Sequence, residues 1–472
     1  MTPQAPPLDE SRLDSPEAIE DFALQDDYAL NPEYVELVID AADRGDGLRL
    51  RELLAAVHPA DVADLMGFLS SEYRAQVVPW IPPDTLSEVL PELDDSIRDE
   101  VLELLPHGAL AEALQELDSD EQAAVVEDLD EEDRKAVLAA MSEVDRAAIE
   151  TTLSYPEDSA GRLMQREVMA APQFWTVGQT IDHVRGHDLD LPELFFDIYV
   201  VDPGFKAVGA VAVSTLLRSR RDAPLSQLME PLTEIRVDLD QEEVAYIFQK
   251  YRLISAPVLD AGGRLVGQIT VDDIVNIIQE ENREDILALA QVGDAGRDAS
   301  VWDVVKSRLP WLVLNLGTEA IAVTSIALFS DEVAKVVALA VLMPIVSSVG
   351  GNAGTQTLAV AVRALASREL NSANAKRIIL RELGVGLFNG VMLAVVMGLA
   401  TFAVYHSARL SVTVGLALIA NVFTAALAGI LAPLLLEKAG RDPAVSSPIL
   451  VTFLTDFMGF FAVLAIAAFI LL

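Results

Sequence analysis

The chain has 472 residues, 52% of them hydrophobic, with 33 Lys and Arg against 73 Asp and Glu and no cysteine. Disulfide frameworks, thiolate zinc sites and thiol catalysis are excluded by composition, and the acidic excess argues against nucleic acid and anionic lipid surfaces, which need a basic patch. Residues 310–472 hold 9 Lys and Arg and 8 Asp and Glu, which leaves 24 and 65 of the totals in the first 309, so all the net negative charge lies ahead of Pro310. Cations are its natural partners, or else the acid serves only solubility.

Met1 to Phe22 has neither a basic start nor an apolar run, so no signal peptide is expected and the N-terminus stays in the cytoplasm. Residues 1–30 read as a flexible acidic tail. Residues 31–160 read as one domain, and between His58 and Glu150 the sequence repeats. Leu69, Leu93, Leu117 and Met141 fall at steps of 24 residues, in register with Met66, Leu90, Leu114 and Leu138 and with Val77, Val101, Val125 and Ile149. Each unit reads as two short amphipathic helices with acids such as Asp118, Asp120 and Glu121 at helix N-termini, and such pairs bury their apolar stripes by stacking into an all-α solenoid.

Residues 161–281 alternate short β-branched strands with helices in two tandem copies. The second is the clearer: strand Ile235 to Val237, helix Asp240 to Tyr251, strand Ala256 to Asp260, a Gly262-Gly263 turn, strand Leu265 to Val271, and a closing helix from Asp272. This α/β arrangement resembles a tandem pair of CBS domains, with Gly267-Gln268-Ile269-Thr270-Val271-Asp272-Asp273 similar to their final strand-to-helix motif. The resemblance implies that Thr270 and Asp273 hold the ribose of an adenine nucleotide such as ATP; a plain strand-helix corner is the other reading. The first copy has Leu217 in the place of that Asp. His183 and His187 have the i, i+4 spacing of a metal pair but no third ligand nearby.

A connecting, plug-like helix is expected over 282–309, followed by five membrane spans at about 310–329, 333–362, 383–405, 411–436 and 448–472, each long enough to cross ~30 Å of hydrocarbon. Arg363, Arg368, Lys376, Arg377 and Arg381 in the second loop, and Lys438 and Arg441 in the fourth, put those loops in the cytoplasm and the C-terminus outside. Asp456 lies inside the last span, about eight residues or ~12 Å from its cytoplasmic end, where a carboxylate needs water, a cation or a partner. The second span carries Met343-Pro344-Ile345-Val346-Ser347-Ser348-Val349-Gly350-Gly351-Asn352-Ala353-Gly354-Thr355-Gln356. Its proline, glycines and amides suggest a kinked helix that packs closely and lines a watery path.

The Pro…Gly-Gly-Asn-x-Gly-x-Gln run, Asp442-Pro443-Ala444, Thr455-Asp456-x-x-Gly459-Phe460, Tyr155 to Met164 at the join, and the order of domains resemble the MgtE magnesium transporter family. The resemblance implies no enzymatic activity but a homodimer in the bilayer with one pore on its two-fold axis. It assigns Asp456, Asn352, Glu382 and Asp442 to the ion path, and Asp118, Asp240, Glu242, Asp273, Glu281, Glu284 and Asp285 to regulatory Mg2+. Asn276 stands where a further acid would be expected. Such a protein would move Mg2+ into the cytoplasm and close when Mg2+ bridges its acidic cytosolic surfaces. An exchanger coupled to H+ or Na+, and a membrane receptor that transports nothing, remain as other readings.

Overall fold

The 24-residue step of the sequence becomes the spacing of the helices. In the computed structural model, which describes residues 15–186, 191–192, 194–293, 300–370 and 374–471, the chain opens with α1 (Pro16–Ala23), α2 (Pro32–Asp43) and α3 (Gly47–Ala55). Paired helices follow: α4 (Pro59–Phe68) with α5 (Ser71–Val77), α6 (Pro83–Val89) with α7 (Asp95–Leu104), α8 (His107–Leu114) with α9 (Ser119–Asp128), and α10 (Glu131–Ala140) with α11 (Glu143–Thr152). Both members of the pairs start at strict 24-residue intervals. The short polar residue before each second member, Ser70, Asp94, Asp118 and Ser142, keeps the same interval, because this position must be extended and suits a side chain able to accept the first free amides. The three repeating registers are buried almost throughout, Leu138 being the partly exposed member. Burying one such side chain stabilises by about 1.5–3 kcal/mol, so the stripe holds only if a neighbouring pair covers it.

Arg74 ties one unit to the next. It is buried, donates to the carbonyls of Met66 and Leu69 at 3.0 and 2.7 Å, and pairs with Glu100 at 2.7 Å. An arginine recurs at this register in Arg98 and Arg146, but the third unit carries Gln122.

The expected tail is wrong for residues 15–30. Ser15 caps α1, Ile19, Ala23 and Leu30 are buried in the solenoid core, and Asn31 both holds the carbonyl of Phe22 and caps α2. A thin apolar stripe suffices because α3 is there to cover it; the surrounding acids hid it in the sequence. Residues 1–14 lie outside the described part.

After α12 (Ala160–Leu163) come two three-stranded sheets of like topology. In the first, β1 (Ala170–Pro172) runs parallel to β2 (Asp197–Val201), which is antiparallel to β3 (Ala207–Ala212); in the second, β4 (Ile235–Arg236), β5 (Ser255–Leu259) and β6 (Leu265–Thr270) repeat the pattern. Helices α13 (Val177–Val184), α14 (Val213–Arg218), α15 (Leu225–Leu228) and α16 (Gln241–Tyr251) pack around them. Both hairpins turn on an aspartate, Asp202 and Asp260, whose carboxylate accepts two backbone amides. The fold is thus an α solenoid, an α/β CBS pair and a set of apolar helices.

The closing helix of the second copy does not stop near 281. It runs on as α17 (Val271–Leu289), and α18 (Val301–Leu328) begins well ahead of Pro310, which sits inside it. The proline only deprives an earlier carbonyl of its donor, a loss a membrane helix tolerates. Then come α19 (Ser330–Lys335), α20 (Ala338–Ala366), α21 (Ala375–Tyr405), α22 (Ala408–Lys438) and α23 (Pro443–Ile470). Of these, α18 and α20 to α23 are five helices long and apolar enough to cross a membrane. The described chain divides at Gln279/Glu280 into two compact units. Within the second, α22 is the central helix, packed by α20, α21 and α23, while α18 lies along α23.

Candidate functional site

The glycines of α20 open that helix to its neighbours. The amide of Asn421, fully buried on α22, donates to the carbonyl of Val346 at 2.9 Å, and its own Oδ1 is buried without a hydrogen-bond partner among the described residues. Gly350 makes this possible, since a Cβ there would stand 2.0 Å from Asn421 Nδ2. Gly459 on α23 does the same for the other approach, where a Cβ would come within 2.8 Å of Ser347 Cα. Gly350→Ala is therefore expected to expel the Asn421 amide and destabilise the fold by about 1–3 kcal/mol through overpacking. Thermal unfolding in detergent measures it, and an unchanged melting temperature would refute it.

These close approaches deliver a polar group to Asp456. Its Oδ1 accepts from the hydroxyl of Ser347, and the carboxyl of Glu319 on α18 lies within hydrogen-bonding reach. The helix begins at Pro443, not near 448, so Asp456 is thirteen residues in, about 20 Å along the axis. Sequence reasoning singled out Asp456 but missed Glu319 and Asn421. Their signal was available: each is an ionisable or amide side chain inside an apolar span, which is expensive there without a partner.

The other residues expected on the ion path are placed differently. Asn352 is exposed on α20 together with Gln356, one helical turn on, along a face this chain leaves open. Glu382 on α21 is buried and accepts from the guanidinium of Arg381 at 2.9 and 3.1 Å. Asp442 caps α23 through the amide of Ala444 at 2.7 Å, and Asp285 is near it: burial first, and the Asp442 carboxylate second, raise the Asp285 carboxyl above its ordinary value. On α17, Glu281 lies one turn before Asp285 and Glu284 immediately before it.

In the first unit, Asp118 and Asp273 come together with two acids the sequence reading had not assigned, Asp120 and Glu121. Asp118 and Glu121 form a reciprocal cap on α9. Asp120 is 9% exposed and its buried Oδ1 has no hydrogen-bond partner among the described residues. Burial raises its carboxyl well above the ordinary value, and the charges of Asp273, Glu121 and Asp118 add to the rise. Burial likewise raises Glu121 to about 7 and Asp273 to about 6, the latter against the opposing pull of Thr270. Thr270 donates its hydroxyl to Asp273 at 2.8 Å, closing the strand-helix corner. Gln122 sits at the register where other units carry arginine, so the acidic turn lacks the repeat's guanidinium. The join is latched beside it: Ser119 donates to Glu167 at 2.8 Å and accepts from the Arg166 amide at 2.8 Å, and Gln165 donates to Asp118 at 3.2 Å.

Asp240 and Glu242 are exposed at the start of α16, where Asp240 caps the Glu242 amide at 3.0 Å, apart from that cluster. His187 lies outside the described residues, and His183 packs edge-on against Trp175. No three His, Asp or Glu side chains among the described residues are placed to hold a metal ion by themselves. The cluster's all-oxygen donors and its orphaned Asp120 oxygen suit a hard divalent cation that keeps much of its water.

The chain matches the family model of the MgtE divalent cation transporter over residues 343–466, that of the MgtE intracellular N domain over 57–158 and that of the CBS domain over 225–280. It is 33% identical to the magnesium transporter MgtE of Thermus thermophilus over 443 residues, 92% of this chain and 97% of that one. It is 32% identical to the magnesium transporter MgtE of Bacillus subtilis over 318 residues, 67% and 70% of the two chains. Among solved structures, the cytosolic domain of the Mg2+ channel MgtE in complex with ATP aligns at 32% identity and a TM-score of 0.48, covering 52% of this chain and 99% of that one.

Proposed function

The chain belongs to the MgtE family of magnesium transporters, and from that premise we propose that it is a Mg2+ channel carrying the ion into the cytoplasm, closed by Mg2+ bound to its acidic cytosolic part. The observation that carries this reading is Asp456, a carboxyl in the middle of an apolar helix, tied by Ser347 beside the Asn421 and Gly350 contact. Mg2+ dehydrates reluctantly and is usually held by one or two carboxylates with several waters retained. A carboxylate at this depth, joined by its copy in a homodimer around a two-fold axis, would take a hydrated Mg2+ and repel anions. The exposed Asn352 and Gln356 would then face the same path, with Glu382 and Asp442 at its cytoplasmic mouth.

Gating follows from the cytosolic carboxylates. Asp118, Asp120, Glu121 and Asp273 repel one another when ionised, and a divalent cation removes that repulsion only in the compact arrangement. Binding therefore shifts the population toward it. Asp285 with Asp442, and Glu281 and Glu284 on the same helix, offer a second such place; Asp240 and Glu242 would need a partner surface, such as that of a second subunit. Thr270 and Asp273 could also hold a nucleotide ribose, in which case ATP and Mg2+ would compete for or share Asp273.

The test is Mg2+ flux through the full-length protein in liposomes, with Mg2+ varied on the cytoplasmic face and with either a membrane potential or a pH gradient imposed. Flux that follows potential and falls as internal Mg2+ rises through the millimolar range supports channel and sensor together. Flux driven by a pH gradient at zero potential would replace the channel with an exchanger, and no flux under any condition would leave a receptor.

A further inference from the structure

Asp456 is reached from two other helices at once. The hydroxyl of Ser347 on α20 donates to its Oδ1, and the carboxyl of Glu319 on α18 lies within hydrogen-bonding reach. Glu319 is nine residues from the end of α18, about 14 Å inside the helix, where an acid is costly unless it serves a partner. Ser347 is itself buried, and its backbone is pinned because α23 approaches it at Gly459, three residues beyond Asp456. A lone aspartate has two soft torsions and can offer either oxygen in many directions. One tied from two sides presents a single fixed edge.

We propose that Ser347, through its hydroxyl, and Glu319, as a neutral acid donating to the Asp456 carboxylate, are positioning residues that hold that carboxylate in one orientation, and that this fixed orientation makes the path prefer hydrated Mg2+ to larger divalent cations. The proposal rests on Asp456 lying in the conduction path. Its physical ground is that Mg2+ keeps its waters in near-octahedral geometry, so a protein recognises it through acceptors at set positions, whereas Ca2+ sheds water readily and accepts ligands in flexible arrangements. A carboxylate freed from its ties keeps its charge but loses the match to the hydrated ion. Ca2+ should suffer less from that freedom than Mg2+.

Mg2+ and Ca2+ fluxes through reconstituted full-length protein, compared for wild type, E319A, E319Q, S347A, S347T and D456A, test this. E319A and S347A are expected to lower Mg2+ flux about tenfold, the usual scale for residues that orient a metal-binding group, and to lower the Mg2+ to Ca2+ flux ratio with it. E319Q and S347T, which keep a hydrogen-bonding group against Asp456, should fall less. A merely structural role would depress both ions alike. If D456A is silent while E319A and S347A keep the wild-type ratio, the pore reading stands and the positioning role is rejected. E319Q as damaging as E319A would also reject it, since charge and not the hydrogen bond would then be the requirement. A D456A protein that conducts as wild type would remove the pore reading itself. Should E319A fail to fold, S347A, which removes a single oxygen, decides by the same ratio.

Discussion

Asp456→Asn is expected to lower Mg2+ flux at least about a hundredfold, because a divalent ion 5 Å from a carboxylate gains several kcal/mol even at an effective dielectric constant near 20. The amide keeps the size of the side chain and can still accept from Ser347, so the helix contacts made by Gly459 and Gly350 should survive. What disappears is the charge that offsets the ion's partial removal from bulk water. Asn352 and Gln356 supply dipoles only, which cannot offset a full double charge at this depth. Reconstituted protein that elutes and melts as wild type but carries no Mg2+ would be the expected result. Flux within threefold of wild type would mean that the ion passes elsewhere, and attention would turn to Glu382 and Asp442.

Much of this arrangement was legible in the sequence where a period forced it. The 24-residue step placed the helix starts of the solenoid, where Ser70, Asp94, Asp118 and Ser142 each precede a helix in extended backbone and Asp118 and Ser142 accept a backbone amide. The five apolar runs gave the membrane helices, although α18 and α23 both begin earlier than expected, because Pro310 and Pro448 lie inside helices and not at their starts. What periodicity could not show was which helices touch. Asp456 stood out as a charge in an apolar run, yet its partners Ser347 and Glu319 are 109 and 137 positions away in chain numbering, on helices whose rotation depends on where glycines let them approach. The same holds for Asp120. In sequence it is one acid of an exposed-looking turn; only the fold buries it and brings the Asp273 charge to bear on it.

That burial makes the acidic cluster around Asp120 the second place where a single substitution should have a large effect. Asp120→Asn is expected to tighten the contact between α9 and the second CBS copy in the absence of any metal, doing in part what a divalent cation would do. The sign follows from the neighbouring acids. Asp273 is raised from 3.8 to about 6 and Glu121 from 4.5 to about 7 by the docked arrangement, burial being the main cause in both. Groups raised in this way favour docking fully below about pH 4 and lose that contribution as the pH rises through 6 and 7. Each tenfold change in proton affinity is about 1.4 kcal/mol, so ionising the cluster at neutral pH opposes docking by an amount on the order of a few kcal/mol. In chelator, amide exchange in α9 and α12 of the wild-type protein should accelerate from about pH 5 to about 7.5, apart from the intrinsic base catalysis of exchange measured on an unprotected peptide. Added Mg2+ should flatten that rise by taking the place of the protons. D120N should flatten it without Mg2+ and respond less to the ion. An unaltered pH dependence in D120N, with its Mg2+ response intact, would mean that the buried carboxyl is a structural residue and that the ion-sensitive acids lie elsewhere, with Asp285 and Asp442 the next pair to neutralise.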